Sequence, residues 1–100
     1  MTPEQRRVFE LNLVRQEVAS GGFQGYFDAT EGLSASRAVA GFELIAPPMA
    51  GVVKEALDLN EQQSAPDFES LDGLFSQLEE QLNVDSLVDA YVANHPEGFF

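Results

Sequence analysis

Seventeen carboxylates and a single histidine, with no cysteine beside them, are the side chains with which this sequence could do chemistry. Without thiols, disulfides and thiolate nucleophiles are excluded, and one histidine is too few for a zinc centre. Carboxylate neighbours do occur at helical spacing, Glu55 with Asp58 and Asp85 with Asp89. Such pairs could hold a hard cation loosely or, in a cleft that raises their pKa, exchange protons. No window matches the alternating oxygen ligands and central glycine of a calcium loop, and nothing in the sequence marks a cleft. The pairs are therefore expected to be solvated faces, with no metal, no cofactor and no catalysis. His95, just before Pro96, has no nucleophile-elbow serine to serve and is expected to face the C-terminal dipole of the last helix.

The stretch SGGFQGYFDATEG, residues 20–32, has the glycine density of a phosphate loop. Its chemistry is wrong for one: no lysine or hydroxyl follows the glycines as a Walker loop requires, and a helix rather than a strand precedes them. The glycines are expected to end the first helix and let Phe23, Tyr26 and Phe27 turn into the core. Two alternatives stay open. Part of the aromatic group could be exposed as an interaction anchor, or a ligand or enzyme pocket could lie beside it, using Glu17, Tyr26 or His95.

Charge is the strongest compositional signal. The chain carries −12 at pH 7, and the balance is lopsided. Residues 1–54 hold six acids and all five bases; residues 55–100 hold eleven acids and no Lys or Arg. Such a surface repels nucleic acid and anionic membranes over a Debye length of about 8–10 Å. A basic protein is its natural partner. The alternative is that acidity serves only solubility or a saline habitat. The opening MTPEQRR lacks the basic-then-apolar order of a signal peptide, and no apolar run reaches the ~20 residues that span a bilayer. A cytoplasmic location is expected.

Elements of helical period must position these groups. Thr2, Pro3 and Gln5 form a capping box ahead of a first helix carrying Val8, Leu11, Val14 and Val18, which Gly21-Gly22 should stop. A short helical segment over 23–30 follows, broken at Gly32. Ser34 should cap a helix with Ala35, Ala38, Phe42 and Ile45 on one face, and Pro47-Pro48 should separate it from a helix ending near Asn60. After a polar linker over 61–66, Leu71, Leu74, Phe75, Leu78 and Leu82 mark a helix capped by Asp67 or Ser70. Asp85 should cap the last one, over Leu87, Val88, Tyr91 and Val92, which Pro96 ends. With 44% apolar residues in 100, the reading is an all-α, compact single-domain bundle of five or six short helices over residues 1–100. The terminal Gly98-Phe99-Phe100 either folds back or meets a second chain, which leaves a homodimer open.

Two separated groups of residues resemble a known family. Glu17, Gly21-Gly22-Phe23, Tyr26-Phe27 and Gly32, followed by Leu71-Asp72-x-x-Phe75 and by Tyr91, His95-Pro96-x-x-Phe99, are similar to the signatures of a bacterial helical domain family, that of the DNA-mimic protein known from Neisseria. Most of its members have no assigned function. Ser20 and Gly25 stand where the family usually has Asn and Gln; the glycines and aromatics are kept, so the motif is expected to be structural, with Glu17 accepting backbone N–H bonds from the glycine turn. The resemblance implies an acidic helical dimer that occupies a DNA-binding protein in place of DNA. The binding face would then comprise Glu55, Asp58, Glu61, Asp67, Glu69, Asp72, Glu79, Glu80, Asp85 and Asp89.

Overall fold

The computed structural model describes residues 2–30, 35–62 and 66–99, the side chain of Phe99 excepted. The expected break at Gly32, the cap Ser34 and the placement of the two terminal phenylalanine rings lie outside the described residues. Six helices and no strand occur among them: α1 (Pro3–Thr30), α2 (Ala35–Ile45), α3 (Pro47–Gln62), α4 (Glu69–Leu82), α5 (Val84–Asn94) and α6 (Pro96–Phe99). The fold is all-α, as the periodicity predicts.

The start of α1 is the expected capping box. The Gln5 N–H donates to Thr2 Oγ1 at 3.1 Å, and the Thr2 N–H donates to Gln5 Oε1 at 2.9 Å, satisfying two donors that a helix terminus otherwise leaves open. The same Thr2 hydroxyl donates to the Gly98 carbonyl at 2.5 Å, so the first turn of α1 also anchors α6. α1 is broken at Gly22, whose φ of 68° and ψ of −173° are non-helical. Its two segments meet there at a kink, and the second carries Phe23, Tyr26 and Phe27 inward.

Helices α2 and α3 form a tight hairpin around Ala46. The Ala46 N–H closes α2 on the Phe42 carbonyl at 2.7 Å, and Pro47 and Pro48 open α3, where their missing N–H groups cost nothing. Helix α4 packs across α1 and α3. The α4–α5 junction is a single residue, Asn83, at φ 50° and ψ 65°. Asparagine tolerates this left-handed conformation, so the chain turns and α5 restarts at once with fully buried Val84. Asp85 consequently stands inside the first turn of α5 and is not its cap, correcting the expectation; a carboxylate is still favoured there by the helix dipole. At the start of α4, Asp67 Oδ1 accepts the Glu69 N–H at 3.0 Å, while Ser70 is already within the helix. α6 was not foreseen, because Pro96 signals a stop equally well as a first helical residue.

One core joins all the larger helices. Phe23, Tyr26 and Phe42 are fully buried, and Phe27, Phe68 and Phe75 nearly so. Phe23 packs edge-on to Phe75 with centroids 5.4 Å apart, and Phe42 meets Phe75 at 6.0 Å. Such ring pairs add about 0.5–1.5 kcal/mol each beyond their area. The aromatic segment is core, and its role as an exposed anchor is set aside.

Candidate functional site

The glycine turn is held by a carboxylate from the other half of the chain. Asp72 Oδ1, on α4, accepts the Phe23 N–H at 2.8 Å, and so caps the α1 segment that restarts after Gly22. Glu17, the residue expected to do this, shows no side-chain hydrogen bond among the described residues, and its carbonyl accepts from Ser20. The two family motifs, 49 residues apart, are therefore one device: the glycine pair makes the turn and the Leu71-Asp72-x-x-Phe75 motif fills it. Leu71 and Phe75 are buried on either side of Asp72. Asp72 acts inside the fold, although it stood among the residues expected at a binding face.

Two more of those acids are engaged internally. Arg15 on α1 donates from Nε to Glu79 Oε1 at 2.7 Å and from Nη2 to Glu79 Oε2 at 2.8 Å. Nη2 also reaches Asp85 Oδ1 at 2.7 Å, and Nη1 reaches Asn12 Oδ1 at 2.8 Å. The Arg15 side chain is 16% exposed and Glu79 30%, whereas Asp85 is 83% exposed. The Glu79 hydrogen bond holds the guanidinium still more firmly protonated; desolvation opposes it, and Asp85 adds to it. Planar two-point pairing of this kind is among the stronger polar contacts. A groove of about 510 Å³ between α1 and α4 is lined by Asn12, Arg15, Gln16, Ala19, Phe75, Ser76 and Glu79, and its charged groups are already matched to each other. Arg15→Ala is expected to cost about 2 kcal/mol in urea unfolding, the range for hydrogen bonds to charged groups. Equal midpoints for variant and parent would show the clasp to be idle.

The remaining predicted acids, Glu55, Asp58, Glu61, Asp67, Glu69, Glu80 and Asp89, are exposed and form no ion pair among the described residues. Glu55, Asp58 and Glu61 recur every three residues on α3, a rise of roughly 4.5 Å per carboxylate, turning by about 60° at each step. Glu55 and Asp58 line a groove of about 400 Å³ with Asp67, Ser70 and Leu71 from the α4 side and with Leu59 and Gln62 of α3. Three carboxylates thus share one cleft with apolar walls. Glu69 stands beside it at the start of α4, while Glu80 lies about 16 Å further along that helix by its rise and Asp89 is on α5. Lys54, the chain's one lysine, is exposed a turn before Asp58 and makes no ion pair with it.

The ligand-pocket alternative named Glu17, Tyr26 and His95. Tyr26 is fully buried, and Glu17, Tyr26 and His95 line none of these grooves. His95 caps α5: its Nδ1–H donates to the Tyr91 carbonyl at 2.8 Å, and its ring stacks on Tyr91 at 4.2 Å. The Tyr91 hydroxyl in turn accepts from Arg7 Nη1 at 3.4 Å. The Tyr91–His95–Pro96 motif thereby seats the C-terminal end against α1. Among the described residues no group of three or more His, Asp or Glu could hold a metal ion, and no helix is long and apolar enough to cross a membrane.

Neither a curated protein nor a solved structure matches the chain. The family model described as DMP19-like protein matches residues 1–95 and thus spans both the glycine–aromatic motif and the Asp72 motif that closes it. The chain belongs to the DMP19-like protein family.

Proposed function

We propose that this protein is a non-enzymatic interaction protein, a DNA mimic that engages the basic DNA-contacting surface of a DNA-binding protein. The observation that carries this reading is the α3–α4 cleft, which Glu55, Asp58 and Asp67 line without an ion-pair partner among the described residues. Membership of the DMP19-like family supports it.

The physics follows from spacing and charge. Duplex DNA presents one phosphate per 3.4 Å of axis on each strand, and the α3 row of Glu55, Asp58 and Glu61 repeats at a similar interval. A partner arginine or lysine can lay its aliphatic stem along Leu59 and Leu71 and place its head between the carboxylates. Glu69, Glu80, Asp85 and Asp89 extend the field beyond the cleft and steer encounter. Asp72 and Glu79, committed to Phe23 and Arg15, shape that face from within. Direct binding of nucleic acid is disfavoured by the same field. Cytoplasmic action and assembly as a homodimer belong to this reading as well.

Capture from cell lysate at low salt, followed by a salt gradient, tests it. A DNA-binding protein should elute from the wild-type chain, and should be released from its DNA by that chain. Recovery of no DNA-binding protein would contradict the reading.

A further inference from the structure

We propose that the groove between α1 and α2 lined by Arg6, Arg7 and Arg37 is a binding site for a small oxyanion of phosphate size. This goes beyond the acidic face and stands on different residues. Only five bases exist in the chain, yet three converge here over Pro3 and Ala40. With seventeen carboxylates available, pairing these arginines internally would be easy, as Arg15 demonstrates. Among the described residues they are nevertheless left almost unpaired. There Arg6 makes no ion pair or side-chain hydrogen bond, and Arg7 makes one long bond to the Tyr91 hydroxyl. Arg37 Nη1 faces Glu10 Oε1 at 3.9 Å, beyond hydrogen-bond reach.

Their placement runs against local electrostatics. Arg6 and Arg37 stand in the first turns of α1 and α2, where the helix dipole disfavours a cation and favours an anion. Bringing three guanidinium groups together adds mutual repulsion, which a bound anion relieves. Glu10, 5% exposed, does not line the groove; its carboxylate, 3.9 Å from Arg37 Nη1, offsets one of the three positive charges.

The guanidinium groups set the ligand class. The open groove offers about 240 Å³, below the ~300–1,000 Å³ of drug-sized pockets. It has room for a tetrahedral oxyanion with part of its hydration shell. Guanidinium forks match phosphate oxygens two at a time, and three of them can contact separate edges of one phosphate.

The test is a ¹⁵N spectral titration of the whole chain with sodium phosphate at pH 7, with sodium chloride holding ionic strength constant. Saturable shifts confined to residues 4–8 and 37–41 and to the arginine Nε–H signals are expected. Arg6→Ala, at an exposed position with no internal partner, should weaken binding at least tenfold, and Arg6→Lys by less. Glu69→Gln, remote from the groove, should bind phosphate as the parent does. Acetate should bind more weakly than phosphate. Shifts that fail to saturate, equal affinity in Arg6→Ala, or acetate binding as tight as phosphate would each overturn the proposal.

Discussion

Gly22→Ala should destabilise the protein by about 3 kcal/mol, whereas Gly21→Ala, one residue earlier, should be neutral or stabilising by up to about 1 kcal/mol. At Gly22 the backbone has φ 68° and ψ −173°, a region open essentially to glycine and costing other residues about 1–3 kcal/mol. Sterics add to this. A Cβ at Gly22 would lie 2.5 Å from Asp72 Oδ2 and 3.0 Å from Asp72 Cγ, so the carboxylate would have to withdraw from the Phe23 N–H that it caps. Around Gly21 nothing lies within 4 Å of a built Cβ, and replacing a helical glycine with alanine lowers the entropy lost on folding. Urea denaturation of both variants checks the contrast. Equal effects at the two glycines would refute the turn's division of labour. Asp72→Ala should reproduce part of the Gly22→Ala loss, about 1–2 kcal/mol, the usual cost of deleting a helix cap.

The second large effect concerns binding. Replacing Glu55, Asp58 and Asp67 with Gln, Asn and Asn keeps the size of each side chain and removes three charges from the α3–α4 cleft. All three are exposed. Folding should survive, with a cost of about 1 kcal/mol at most, chiefly from Asp67, whose Oδ1 accepts the Glu69 N–H just after the Phe68 N-cap. Affinity for the DNA-binding partner should fall about a hundredfold or more at low salt, since coupling across close interfacial charge pairs reaches several kcal/mol. Neutralising Glu80 and Asp89 instead should mainly slow association, because charges outside the cleft act through steering. Measured association and dissociation rates separate the two cases. A cleft variant that dissociates no faster than the parent would exclude the cleft as the anchor.

Much of this architecture was legible in local sequence. The Thr2–Gln5 capping box and the inward rings of Phe23, Tyr26 and Phe27 follow from spacings of three and four residues, the helix break at Pro47-Pro48 follows from proline's backbone restriction, and each is present. The errors lie where a partner comes from far along the chain or where one residue suffices for a turn. Glu17 was the nearest acid to the glycine turn, but Asp72 reaches the Phe23 N–H because α4 crosses α1 there. The clasp of Arg15 on Glu79 and Asp85 likewise joins residues 64 and 70 positions apart, which no helical periodicity can register. At Asn83 a single left-handed residue replaced the capped turn expected at Asp85.

The acidic surface was legible as a count of charges and only partly as a shape. Composition placed eleven acids after residue 54, yet it could not separate those holding the fold together from those left free. Asp72 and Glu79 are bonded to Phe23 and Arg15, and Glu55 and Asp58 of α3 share a groove with Asp67, just before α4. The pairing of α3 with α4 makes that distinction, and it is a tertiary fact. The i, i+3 spacing of Glu55 and Asp58 was legible locally, but nothing local told a solvated face from the wall of a cleft.

Competition with DNA tests the central claim most directly. A DNA-binding protein recovered with this chain would be loaded on labelled DNA and titrated with the wild-type chain and with the Glu55/Asp58/Asp67 triple variant across a salt series. The account predicts that the wild type displaces the DNA completely, with an apparent affinity that falls steeply as salt rises, and that the triple variant displaces little at any salt. A ternary complex in which chain and DNA are bound together, or a triple variant that competes as well as the wild type, would contradict it.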